Sequence, residues 1–141
     1  LNRPPITRSV GIRKFIKGFH RSSQGVMGYN VAVRQGTDDA PWVPRPDPFD
    51  PKPFGFYQVS PVDSTSLDNI YLHALLLDYG RGNNPRLDPS GRLRDYLVRV
   101  QPDNDDLLLG KAYLAWGQRR LPVAFFILER LRRSSLIPAN G

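Results

Sequence analysis

Arg94-Asp95-Tyr96-Leu97-Val98-Arg99-Val100, Leu107-Leu108-Leu109-Gly110-Lys111-Ala112-Tyr113-Leu114-Ala115-Trp116 and Pro122-Val123-Ala124-Phe125-Phe126-Ile127-Leu128-Glu129-Arg130 decide the fold. These runs of seven to ten residues are separated by the polar breaks 101–106 and 117–120. Short runs between turn residues predict an antiparallel meander. In the first run Arg94, Tyr96, Val98 and Val100 alternate with Asp95, Leu97 and Arg99, the two-residue period of a strand. A helical hairpin competes over 105–130, with Gly117 ending one helix and Pro122 opening the next. Gly110 weakens a helix interior by about 1 kcal/mol relative to Ala, and the branched and aromatic residues of 123–127 suit a strand.

Upstream, 25–34 predicts a strand with Tyr29, Val31 and Val33 on one face, and 54–59 predicts another. Over 70–79 a strand and a helix bracketed by Ser66 and Gly80 fit equally. The spacing of Val10, Ile12, Phe15, Ile16 and Phe19, with Arg13, Lys14 and Lys17 between, predicts a short basic amphipathic helix over 10–19. Residues 1–9, with Pro4-Pro5, read as an extended basic arm, and 134–141 as a C-terminal tail. Six prolines fall in 41–53, a density no ladder or helix tolerates. That stretch is expected to be a long excursion. Its Trp42 and Phe49 either pack back onto the domain, the reading preferred here, or are recognised by a proline-binding partner. One domain, residues 10–133, accounts for a chain of 141 residues.

Composition excludes several classes. There is no cysteine, so disulfides, thiolate catalysis and zinc–cysteine sites are out. No apolar run approaches the roughly 20 residues a spanning helix needs. His20 and His73 lie far apart without metal-ligand spacing, and His73, in an apolar run, reads as a hydrogen-bonded core residue. Nucleophile elbow, Walker loop and dinucleotide fingerprint are all missing, so no cofactor and no catalysis are expected. Asp78 and Asp95 are expected to pair with Arg94 or Lys111 across strands and fix the register. The net charge of +7 is concentrated at the ends, with six cations and no acid in 1–24 and five arginines against Glu129 in 118–141. Basic ends point to an anionic surface, including a membrane, or to an acidic protein. Nucleic acid is not an expected partner, because the aromatics fall on apolar strand faces and no RNP-like motif is present.

Four phrases carry a resemblance: Leu76-Leu77-Asp78-Tyr79, Leu93-Arg94-Asp95-Tyr96, Leu107-Leu108-Leu109-Gly110-Lys111-Ala112-Tyr113 and Phe125-Phe126-Ile127-Leu128-Glu129. With Lys17-Gly18-Phe19-His20, Gly25, Gly28 and Asn30, they resemble a group of lipocalin-like small β-barrel domains. The resemblance implies a mainly β fold, an antiparallel barrel around an apolar interior, and no particular activity. The expected architecture is that barrel with a short N-terminal helix and a long proline-rich loop. Two functions follow as expectations. In the first, the barrel binds an apolar or amphipathic small molecule. Tyr96, Val98, Tyr113, Phe125 and Ile127 then line the interior, and Asp78, Arg94 and Lys111 make the polar contacts. In the second, the chain is an accessory subunit of a larger assembly, docking through its basic termini and the proline-rich loop.

Overall fold

Two-residue alternation prevails over helical spacing in each strand of the described residues. The computed structural model describes residues 14–37, 39–133 and 138. Its strands are β1 (Phe15–Ser22), β2 (Gly25–Ala32), β3 (Pro53–Pro61), β4 (Leu75–Asp78), β5 (Leu93–Arg99), β6 (Leu107–Trp116) and β7 (Arg119–Glu129). They form one antiparallel sheet in sequence order, and two short 3-10 turns, Tyr79–Arg81 and Pro89–Arg92, join β4 to β5. Among the described residues there is no α-helix. The β6–β7 hairpin turns at Gly117, whose φ of +57° a side chain would strain.

The helix expected over 10–19 is therefore corrected in its described part, since residues 15–19 open β1. Phe15 and Phe19, four apart, share a face in either conformation. As a strand, Phe15, Lys17 and Phe19 face one way, and the lysine on that face conceals the period. The 70–79 ambiguity resolves into turns followed by the four-residue β4. Ser66 caps no helix. Its hydroxyl accepts from the Asp68 amide within a turn. The basic arm 1–9 and all of the tail 134–141 except Pro138 lie outside the described residues.

The sheet is strongly curled. In a flat sheet β1 would lie about 19 Å from β5 and about 29 Å from β7, at 4.8 Å per strand. Yet Lys17 Nζ is 3.0 Å from Asp95 Oδ2, and the Phe15 and Phe126 rings are 5.6 Å apart in an edge-to-face pair. Side chains meet across the hollow without backbone pairing, because no ladder joins β1 to β7 among the described residues. Strand direction explains why. In a seven-strand meander the first and last strands run the same way, so closure would require a parallel pairing in an otherwise antiparallel sheet.

The concave face holds the main core. Tyr57 and Leu77 are 0% exposed, with Tyr79, Leu97, Val59, Leu108, Phe126 and Leu128 around them. Complete burial is worth roughly 1.5–3 kcal/mol for a side chain of leucine size. It also means no water-sized space borders Tyr57 or Leu77. The convex face is covered in part. The 62–74 connection lies over β4–β6 and buries Ala74, Leu76, Tyr96 and Tyr113 with Val62. Ile16, Tyr29, Val31 and Phe56 form a third cluster on the outer side of β1–β3.

Candidate functional site

Three places carry chemistry. The first is the polar centre inside the curl. Lys17 Nζ donates to Asn30 Oδ1 at 2.9 Å and to the Tyr79 hydroxyl at 2.5 Å, beside the Asp95 carboxylate. Tyr79 in turn donates to Asp95 Oδ2 at 3.0 Å, and Asn30 Nδ2 donates to the Gly55 carbonyl at 2.9 Å. The rings of Phe15, Tyr57, Tyr79 and Phe126 stand 4.9–5.5 Å from the ammonium. Burial lowers the Lys17 pKa, against the opposing pull of Asp95. Burial, reinforced by the Asp95 charge, pushes Tyr57 and Tyr79 well above the ordinary phenol value. The Lys17 and Asp95 side chains are only 3% and 5% exposed, and Asp95 Oδ1 is buried without a hydrogen-bond partner. A buried amine of lowered basicity beside two protonated phenols has the groups of an acid–base site. It lacks access for a substrate. Its effect here is to tie β1 to β5.

The second place is the convex face, where all eight residues expected to contact a ligand are found. Interior contacts identify the concave set as Lys17, Leu77, Asp95, Leu97 and Phe126; alternation puts Tyr96, Val98, Tyr113, Phe125, Ile127, Asp78, Arg94 and Lys111 on the opposite side. These eight residues share one face, as the alternation predicts, but that face is the outer one and not the interior expected of Tyr96, Val98, Tyr113, Phe125 and Ile127. Asp78 lies directly opposite Arg94, with Arg94 Nε 3.2 Å from Asp78 Oδ1, as expected of a register-fixing pair. Asp95 departs from that expectation by pairing with Lys17 inside.

Sequence reasoning missed Asp68, on which this outer network turns. Its carboxylate accepts from Arg120 and, at 3.2 Å, from Arg94; its carbonyl accepts from the Tyr96 hydroxyl at 2.9 Å. Burial works to raise the Asp68 pKa, but Arg120 and Arg94 together hold it below the ordinary carboxylate value. Nearby, Lys111 Nζ donates to the Tyr71 hydroxyl at 2.9 Å, which shares a 2.8 Å bond with Tyr113. Those bonds, with Lys111 first, lower the Tyr71 pKa, while bonds to Tyr113 and Tyr71 raise that of Lys111. These contacts fasten the 62–74 connection to the sheet.

The third place is the proline-rich excursion between β2 and β3. Its base is fixed, because Arg34 N donates to Val43 O at 2.8 Å and Arg45 N to Ala32 O at 2.7 Å. Lys14 Nζ donates to the Thr37 and Ala40 carbonyls and stands 5.3 Å over the Trp42 ring. Further out, the Phe49 amide donates to Asp47 Oδ1 at 2.8 Å, and Phe49 is 97% exposed. The packing expected of these aromatics is thus corrected for Phe49, which stands almost fully exposed, while Trp42 lies against Lys14. His73 is corrected as well. It sits exposed on the turn before β4, and no trio of possible metal ligands occurs among the described residues.

Comparison of the chain with protein-family models, curated proteins and solved structures returns no match. The class of architecture is a mainly β chain built on one curled, seven-stranded antiparallel sheet.

Proposed function

We propose that the chain is a non-catalytic accessory subunit that docks onto a partner protein through loop 41–53, with Phe49 as its anchor. The observation that carries this reading is an almost fully exposed phenylalanine at the apex of a loop with a pinned base. Aromatic side chains seated in a pocket commonly dominate binding energy. The six prolines of 41–53 restrict the loop before binding, so little ordering entropy remains to be lost. Bends at 45–46 and 48–50 break the straight polyproline ridge that SH3-type grooves take, which favours recognition of the apex itself. Asp47 and Asp50 flank Phe49, although Lys52 neutralises Asp50 at 2.7 Å. An apolar pocket with a cationic rim complements this apex better than an anionic membrane does. The test replaces Phe49 with a photo-crosslinking phenylalanine analogue in cells. A discrete protein adduct, absent when the same analogue replaces Leu87 on the 80–92 connection, is expected. Labelling of lipid alone, or none, refutes the reading.

The apolar-ligand reading, with the sheet closing into a lipocalin-like barrel, retains one supporting observation: the approach of Phe15 and Phe126 across the open side. Native mass measurement with a fatty-acid and sterol panel decides it. Retained adducts support it, and their absence together with an unchanged melting temperature removes it.

A further inference from the structure

We propose that the uncovered part of the convex face, over β5–β7, is a self-association surface on which two copies meet about a two-fold axis near Ile127. Val98 lies opposite Leu109 on β6, and Leu109 opposite Ile127 on β7, so the three make one apolar row across three strands. They are 40%, 38% and 57% exposed, and Phe125, two residues from Ile127 on the same face, is 60% exposed. The 62–74 connection covers the neighbouring row but not this one, for Leu76 and Tyr96 are buried. A contiguous apolar patch of this kind on a small domain marks an interaction site.

The arrangement of charge identifies the occupant. Lys111 lies opposite Phe125 at one end of the row, and Glu129 lies opposite Leu107 at the other. Lys111 bonds the Tyr71 hydroxyl and overlies the Phe125 ring at 4.9 Å, with no carboxylate in salt-bridge range among the described residues. Glu129 has no ion-pair partner there either, whereas its neighbours Arg130 and Asp106 pair with each other. Phe125 and Glu129 stand two residues before and two after Ile127. A two-fold axis through the Leu109–Ile127 pair therefore brings Lys111 of each copy to Glu129 of the other, on both sides of a shared apolar row. An isologous contact requires this kind of self-complementarity, in which i meets j and j meets i. An unrelated partner would give no reason for it. The surface is separate from the Phe49 loop, so this inference does not rest on the docking reading. The patch is small, and a micromolar dimer is expected.

Sedimentation velocity on the full chain from about 1 μM to about 200 μM tests it. The wild type should pass from monomer to dimer across that range. Ile127→Lys should stay monomeric with an unchanged melting temperature, since the side chain is exposed. Lys111→Glu and Glu129→Lys alone should each weaken the dimer by about ten-fold or more, because each change creates two like-charge contacts. The double variant should restore it to within a few-fold of wild type. Glu129→Lys leaves the Tyr71 bond intact, so its loss of dimer cannot be assigned to a displaced 62–74 connection. A wild type that remains monomeric throughout overturns the proposal, as does a double variant no tighter than the single ones.

Discussion

Removing Asp95 tests the central tie of the fold. Lys17 reaches across the hollow of the sheet to Asp95 and, among the described residues, keeps two neutral oxygens, from Asn30 and Tyr79, when the carboxylate is gone. An uncompensated buried charge left by one partner's removal costs about 3–5 kcal/mol. Domains of this size hold about 5–15 kcal/mol in total. Asp95→Leu should therefore lower the urea midpoint sharply and the melting temperature by about 10 °C or more. Its pH dependence has a definite sign. Burial already places the Lys17 pKa below 10.5, and losing Asp95, which pulls upward, must lower it further. A base whose folded pKa lies below its unfolded value is protonated more readily in the unfolded chain. Stability of the variant should then rise with pH, at up to about 1.4 kcal/mol per unit, until the unfolded value near 10.5 is passed. Lys17→Met/Asp95→Leu, which removes both charges, should lie within about 2 kcal/mol of wild type. Urea titrations of the three proteins from pH 6 to about 10 give the readout. A cost below about 1 kcal/mol for Asp95→Leu, flat with pH, would mean the pair is hydrated in solution and would refute the reasoning.

Two further outcomes are expected. A Cβ at Gly110 would stand 2.2 Å from the Phe126 ring, so Gly110→Ala should destabilise by about 1–3 kcal/mol. Adding Phe126→Leu should cost less than the two single changes summed, as measured by urea unfolding. Asp68, with a folded pKa below 3.8, contributes stability that is present above that unfolded value and lost as pH falls through the folded one. Protection of the 62–74 amides, taken relative to the intrinsic exchange rate at each pH, should be high at pH 5 and fall once the pH drops below the ordinary carboxylate value of 3.8 and through the lowered Asp68 pKa. Asp68→Asn should expose the segment at pH 7, and equal protection in the variant would count against the Asp68 network as the fastener.

Much of the strand pattern could be read from residues 94–130, because short runs, turn residues and alternation agree there. What could not be read was which side of each strand faces in. Both sides of β5 are apolar, Leu93 and Leu97 inward and Tyr96 and Val98 outward, since the 62–74 connection gives the outer side something to bury against. The two charges that mark the inner side, Lys17 and Asp95, argue for the opposite orientation until each is known to neutralise the other. Pairing between strands four places apart leaves no local signal, so the ion pair that identifies the interior also disguised it. Asp68 was unreadable for a related reason. It lies in a polar connection, and its partners Arg94 and Arg120 come from distant strands. The exposed Phe49 was unreadable as well, because proline content does not reveal on which side of an irregular loop an aromatic falls.

An odd number of alternating strands has a mechanical consequence. Because β1 and β7 run the same way, the chain enters the sheet at one end and leaves it at the other. A load applied through the segments before Phe15 and after Glu129 pulls β1 along β2 and β7 along β6. Each outer strand must then break its whole ladder at once, eight paired positions for β1 and ten for β7, instead of one rung at a time. Tethered at both ends, this sheet resists as a shear joint, while an even-stranded meander pulled by its adjacent ends would peel.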